Sequence, residues 1–101
     1  MSRVSSKSHF VYVLWSTAGR RFYIGISEDS QKRLRQHNEG GSKWTARYRP
    51  WELVHVEAYS TYMEARKREI LLKKQKGGHG FFRLTGLDPS KFPRMETPSG
   101  S

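Results

Sequence analysis

Residues 9–15 read His9-Phe10-Val11-Tyr12-Val13-Leu14-Trp15, and no other segment constrains the fold as much. Side chains alternate between the two faces of a strand, which sets Phe10, Tyr12 and Leu14 against Val11, Val13 and Trp15. Both sets are apolar, so this strand belongs at the centre of a sheet, covered on both sides. A turn from Ser16 to Arg20 leads to a second strand, with Phe22, Ile24 and Ile26 on one face and Tyr23, Gly25 and Ser27 on the other. Each strand carries a tyrosine, and its hydroxyl, which an apolar hairpin does not need, must be satisfied or used. A glycine inside a strand weakens it, so Gly25 marks either a bulge or a place where a ligand or another backbone approaches. Beside Tyr23 it is expected to leave an open patch.

The following segment predicts a helix from about Ser30 to Asn38, capped by Asp29 or Ser30 and stopped at Gly40-Gly41. With about 3.6 residues per turn, Arg33, Leu34 and His37 share a face. Leu34 faces the core there, and Arg33 and His37 border it, either as solvated helix residues or as members of a site. Residues 40–50 read as a loop that interleaves Lys43, Arg47 and Arg49 with Trp44 and Tyr48. Such a composition suits phosphate neutralisation and stacking on bases. The competing reading makes Trp44 a lid on the core. A third strand, Glu52 to Tyr59, alternates Val54, Val56 and Ala58 against Leu53, His55, Glu57 and Tyr59, with His55 as a structural residue.

A second helix spans roughly Tyr62 to Lys76, and its two carboxylates fall in different places when the positions are wound as a helix. Tyr62, Ala65 and Leu72 form an arc, extended by Met63 and Ile70, that contains Glu69 and excludes Glu64. A carboxylate on a core-facing arc must be paired, hydrogen-bonded or bound to a cation. Lys73, four residues on, could pair with Glu69. The alternative is a metal: magnesium is often held by one or two carboxylates, with water and phosphate oxygens completing its shell. Arg66, Lys67, Arg68, Lys73, Lys74 and Lys76 make this helix a surface that draws phosphate.

The composition points the same way. Nineteen Lys and Arg against nine Asp and Glu give a formal charge of +10 on 101 residues, a length suited to one domain. Nucleic acid is the expected partner of such a surface. The absence of cysteine excludes disulfides and thiolate metal sites and favours a cytoplasmic location. No stretch approaches the roughly 18 consecutive apolar residues of a membrane span, so no membrane partner is expected. Residues 1–8 read as a disordered lead and 9–87 as the domain. The break Gly77-Gly78-His79-Gly80 precedes an apolar patch, Phe81 to Leu87, expected to pack on the sheet, and 88–101 read as an irregular tail.

Tyr12, Tyr23-Ile24-Gly25, Arg33, His37 and Glu69 together resemble the GIY-YIG nuclease family, in the form of its small stand-alone bacterial members. The likeness runs from about His9 to Lys76 and includes Asn38-Glu39-Gly40-Gly41, Pro50-Trp51-Glu52-Leu53-Val54 and Glu64-Ala65-Arg66-Lys67-Arg68-Glu69. It implies an α+β fold, a three-stranded antiparallel sheet flanked by helices, and metal-dependent hydrolysis of DNA without a covalent intermediate. By resemblance, Glu69 is the metal-binding carboxylate, for Mg²⁺ or Mn²⁺, and Arg33 the catalytic arginine. Tyr12 and Tyr23 are the motif tyrosines, and His37 matches a histidine of some members. Nucleic-acid contact is assigned to Gly25, Lys32, Arg35, Lys43, Trp44, Arg47, Lys73 and Lys74. Branched or damaged DNA is the expected substrate, and a protein partner is expected to supply targeting. Phe10-Val11-Tyr12 stands where the family has Gly-Ile-Tyr, and Ile26 stands where several members carry a polar residue. Tyr12, Tyr23 and His37 thus remain the candidates for general base.

Overall fold

The computed structural model describes residues 8–41, 43–76 and 78–93; residues 1–7, Ser42, Gly77 and 94–101, which include most of the expected lead and tail, lie outside them. Strand β1 (His9–Ser16) pairs antiparallel with β2 (Arg21–Ser27) on one side and β3 (Trp51–Tyr59) on the other, giving the order β2-β1-β3. β1 is therefore the central strand, as its two apolar faces require, and its residues from Val11 to Ser16 are all buried.

Each face carries its own core. Val11, Val13, Trp15, Phe22 and Ile24 meet Ala65 and Leu72 of α3 (Tyr62–Gln75) and Phe81 of α4 (His79–Thr85). On the opposite face, Tyr12, Leu14 and Trp51 pack with Tyr23, Leu34, Tyr48 and Leu53 beneath α1 (Ser30–Asn38). The helices start where their sequences allow. The Asp29 carboxylate accepts from the Lys32 N–H at 3.0 Å, and Thr61 and Glu64 form a reciprocal capping box that satisfies two N–H groups at the start of α3. That cap is the use the structure finds for Glu64. Helix α4 ends at Gly86, whose φ of 78° suits glycine.

Three expectations are corrected. The stretch 40–50 is not a plain loop: it contains a short helix, α2 (Lys43–Ala46), one turn long and so below the reach of hydrophobic periodicity. The alternation expected in β3 fails at its start, because the register slips between Val13, opposite His55, and Leu14, opposite Leu53. Val54 is the extra residue of this bulge, which reverses the facing of everything before it. Val54 packs with the α3 side, while Leu53 and Trp51 turn to the α1 side. The chain after Asp88, expected to be irregular, forms a 3-10 turn at Pro89–Lys91. Phe92 then sets its ring 5.3 Å from Trp15 and 5.4 Å from Phe22. No described helix is long and apolar enough to cross a membrane.

Candidate active site

The α1 side of the sheet gathers the chemistry. Tyr12 faces Gly25 across the β1–β2 ladder and Leu14 faces Tyr23, so both tyrosines project from the same face. Arg33 and His37, one turn apart on α1, descend toward them. Nε2 of His37 lies 3.1 Å from the Tyr12 hydroxyl, and Nδ1 lies 2.9 Å from Oγ1 of Thr45 on α2. Tyr12, His37 and Thr45 are all buried. The Tyr23 ring, half-buried, sits 4.7 Å from the His37 ring and 6.2 Å from that of Tyr12. Arg33 Nη1 donates to Gln36 Oε1 at 2.6 Å, which orients the guanidinium.

These neighbours set the protonation. Burial pushes the Tyr12 phenol above its ordinary value, and the Arg33 guanidinium beside it opposes that rise without cancelling it. Tyr12 in return holds Arg33 more firmly protonated. Burial, and then the positive charge of Arg33, lowers the pKa of His37 below that of a free imidazole. At neutral pH the cluster therefore holds a protonated phenol, a neutral imidazole and a cationic arginine. It opens on a cleft of about 450 Å³ lined by Arg33, Gln36, His37, Glu39, Gly40 and Gly41. A second hollow of about 430 Å³, with Lys32 and Asp29 in its wall, shares Arg33 and Gln36.

The open patch expected at Gly25 is absent. A Cβ at Gly25 would lie 2.5 Å from the Tyr12 oxygen and 2.6 Å from its Cε1, so the space left by the glycine is filled by the Tyr12 ring, and no room for a phosphate remains there. Trp44 lies against the core aromatics without being buried. It stacks on Trp51 at 6.1 Å and meets Tyr48 edge-on at 5.1 Å, yet 41% of it stays exposed. Lys32, Arg35, Lys43, Arg47 and Lys74 are exposed.

Glu69 does not join the tyrosines. Its helix packs on the other face of the sheet through Ala65 and Leu72. Glu69 is 7% exposed and faces inward with Ala65 and Leu72, whereas Tyr62, Met63 and Ile70, expected on the same arc, are exposed. Arg66 Nη1 donates to one of its oxygens at 2.6 Å and Lys73 Nζ to the other at 2.9 Å. Lys73, expected to contact nucleic acid, is thereby engaged with Glu69. Among the described residues no group of three or more His, Cys, Asp or Glu could hold a metal. A single carboxylate nevertheless fits the chemistry of magnesium, which keeps most of its water. Both cations on Glu69 are about half exposed.

Thr45 and Gln36 are the members of the cluster that sequence reasoning missed. Thr45 lay in a segment read as loop, and Gln36, three residues after Arg33, carried the one available signal, its helical spacing.

A family model described as the GIY-YIG catalytic domain matches residues 8–80. A UPF0213 protein of Bacillus velezensis is 42% identical over 72 residues, 70% of this chain and 72% of that protein. A UPF0213 protein of Enterococcus faecalis is 41% identical over 73 residues, 69% of this chain and 82% of its own length. One from Staphylococcus aureus strain Mu3 is 43% identical over 67 residues, covering 65% of this chain and 80% of that protein.

Proposed function

Because this chain belongs to the GIY-YIG family, a nuclease family, we propose that it is an endonuclease that hydrolyses phosphodiester bonds in DNA with a divalent metal, Mg²⁺ or Mn²⁺. The observation that carries this reading is the buried contact of Tyr12 with His37, set beside Arg33 at the edge of a cleft. Arg33 neutralises charge that builds on the phosphoryl oxygens. Tyr23, the less buried phenol, orients the attacking water. The water oxygen bonds to phosphorus and its proton goes to the Tyr23 oxygen, while the Tyr23 proton passes to the Tyr12 oxygen and the Tyr12 proton to Nε2 of His37. A neutral imidazole can take that proton, whereas a protonated phenol alone is a poor base near pH 7. The bond from phosphorus to the departing sugar oxygen breaks, and that oxygen is protonated by solvent.

Glu69, on the helix packed against the other face of the sheet, would hold the metal, which supplies Lewis-acid chemistry when bound. Lys32, Arg35, Lys43, Arg47 and Lys74 neutralise the DNA backbone, and the exposed side of Trp44 stacks on a base. Branched or damaged DNA as substrate, a place in repair and a partner protein that supplies targeting complete the proposal.

A second reading, a noncatalytic nucleic-acid-binding module, is favoured by one observation: both oxygens of Glu69 are already paired with cations. Incubation of linear and branched DNA with Mg²⁺ or with chelator separates the two, with Arg33→Ala and Glu69→Ala alongside. Cleavage that needs metal and both side chains supports the nuclease. Equal product from wild type and Glu69→Ala sinks the metal assignment, and DNA bound but never cut under any metal selects the binding module.

A further inference from the structure

The proton on His37 is decided by three neighbours. A neutral imidazole has one donor and one acceptor nitrogen. Nε2 faces the Tyr12 hydroxyl at 3.1 Å, and Nδ1 faces the Thr45 hydroxyl at 2.9 Å. The Arg33 guanidinium, which can only donate, also lies beside the Tyr12 oxygen. Tyr23, the other group near Tyr12, is only half-buried and can meet its own hydrogen bonds from the solvent side. The Arg33 cation beside the Tyr12 oxygen takes up acceptor capacity there, which leaves the phenol to direct its own hydrogen to Nε2, 3.1 Å away. The ring hydrogen must then sit on Nδ1, where the Thr45 hydroxyl accepts it.

The frame around this contact is built to hold it. Trp51, at the start of β3, anchors both helices that carry the pair. Its indole Nε1 donates to the Thr45 carbonyl at 2.7 Å. Its backbone N–H donates to Asn38 Oδ1 at 2.5 Å, and its carbonyl accepts from Asn38 Nδ2 at 3.0 Å. Asn38 directly follows His37 on α1. One residue thus fixes the end of α1 and the single turn of α2 relative to each other, and with them the distance from His37 to Thr45. Thr45 is fully buried, so water does not compete for Nδ1.

We propose that Thr45 is a positioning residue: its hydroxyl accepts from Nδ1–H of His37 and keeps Nε2 unprotonated and aimed at the Tyr12 phenol. For its consequence in catalysis this rests on the nuclease reading, in which Nε2 takes the phenol proton; the tautomer itself does not depend on that reading.

The test uses the full chain, labelled with ¹⁵N, and correlates ring nitrogens with ring hydrogens at pH 7–8, with His37→Gln to assign the signal. The expected result is a protonated Nδ1 and a bare Nε2. An Nε2–H tautomer overturns the proposal. Thr45→Val should shift the ring toward the other tautomer and lower kcat for DNA cleavage by on the order of ten-fold or more, with KM little changed. Thr45→Ser should restore both. A Thr45→Val protein that melts earlier but keeps the wild-type tautomer shows a merely structural threonine and also overturns the proposal. If Thr45→Val does not fold, the wild-type spectrum and the Thr45→Ser variant still decide. If the wild type cuts no DNA, the nuclease reading falls and the nitrogen spectrum still judges Thr45.

Discussion

Tyr12 and Gly25 are cross-strand partners, and the ring of Tyr12 occupies the volume that a side chain at position 25 would need. The glycine of the second strand therefore serves the tyrosine of the first. It lets a bulky phenol lie flat over the sheet, with its hydroxyl delivered to His37.

A methyl group at position 25 would have to displace that ring, which is 1% exposed and has nowhere to retreat. Gly25→Ala should destabilise the protein by about 1–3 kcal/mol, the usual range for overpacking, and should abolish DNA cleavage. Urea denaturation measures the first effect. In a Tyr12→Ala background the stability loss from Gly25→Ala should vanish, because the clash has been removed. An unchanged loss in that background would show that Gly25 serves something other than Tyr12.

Glu57 ties three elements together. Arg68 of α3 reaches both its oxygens at 2.7 and 3.0 Å and also donates to the carbonyl of Leu84 on α4. His55 and Tyr59 contribute at 2.8 and 2.7 Å. Burial alone would raise the Glu57 pKa, but the bonds from His55, Arg68 and Tyr59 outweigh it and bring it from 4.5 down to about 2. The folded-state value lies below the unfolded one, so the carboxylate stabilises the fold above pH 4.5. That stabilisation, about 3 kcal/mol, is lost as pH falls from 4.5 toward 2. Thermal melts across that window should show the decline in wild type and a flatter profile in Glu57→Gln, which should be less stable at pH 7.

His37 adds an earlier acid step. Its pKa is lowered in the folded protein, so as pH drops below the ordinary imidazole value the unfolded chain binds a proton that the folded chain resists. Stability should begin to fall below about pH 6.5. His37→Gln should lose that part of the pH dependence in melts between pH 5 and 8.

A divalent ion at Glu69 must compete with Arg66 and Lys73. Replacing both cations, Arg66→Ala with Lys73→Ala, should lower the Mn²⁺ concentration needed for half-maximal binding by about 10-fold. Glu69→Gln should remove binding altogether. Calorimetric titration of Mn²⁺ reads both, and an unchanged midpoint in the double variant would place the ion elsewhere.

Trp44 is held at its base by Trp51 and Tyr48 and open on its outer side. Trp44→Ala should weaken DNA binding by about 1–3 kcal/mol, the worth of one stacked base, while Trp44→Phe should keep most of the affinity. Fluorescence anisotropy with a labelled oligonucleotide measures the difference.

Much of the frame could be read from local pattern. The doubly apolar run at Val11 to Trp15 meant a central strand, Asp29-Ser30 marked a helix start, and helical winding brought Glu69 inward, because each of these depends on near neighbours in sequence. The bulge at Val54, the one-turn helix at Lys43–Ala46 and the role of Gly25 were not legible. A bulge depends on what the opposite strand presents, and a single helical turn carries too few residues for a period. A glycine's neighbour is set by register, not by sequence distance. Phe92 belongs with these: an aromatic in a proline-bearing segment reads as tail until the rings of Trp15 and Phe22 are seen to receive it.

The order of the three strands and the two long helices and the basic surface came from sequence through residue type and period, and the candidates Tyr12, Tyr23, Arg33, His37 and Glu69 through the resemblance to the GIY-YIG family. How those candidates associate was decided only by tertiary structure. Tyr12 and His37 are 25 positions apart and meet because α1 folds back over β1, whereas Glu69 goes to a helix on the opposite face and finds its partners there. Hydrogen bonds between side chains depend on ångström distances across packed elements, and those distances exist only once the sheet is formed and both of its faces are covered.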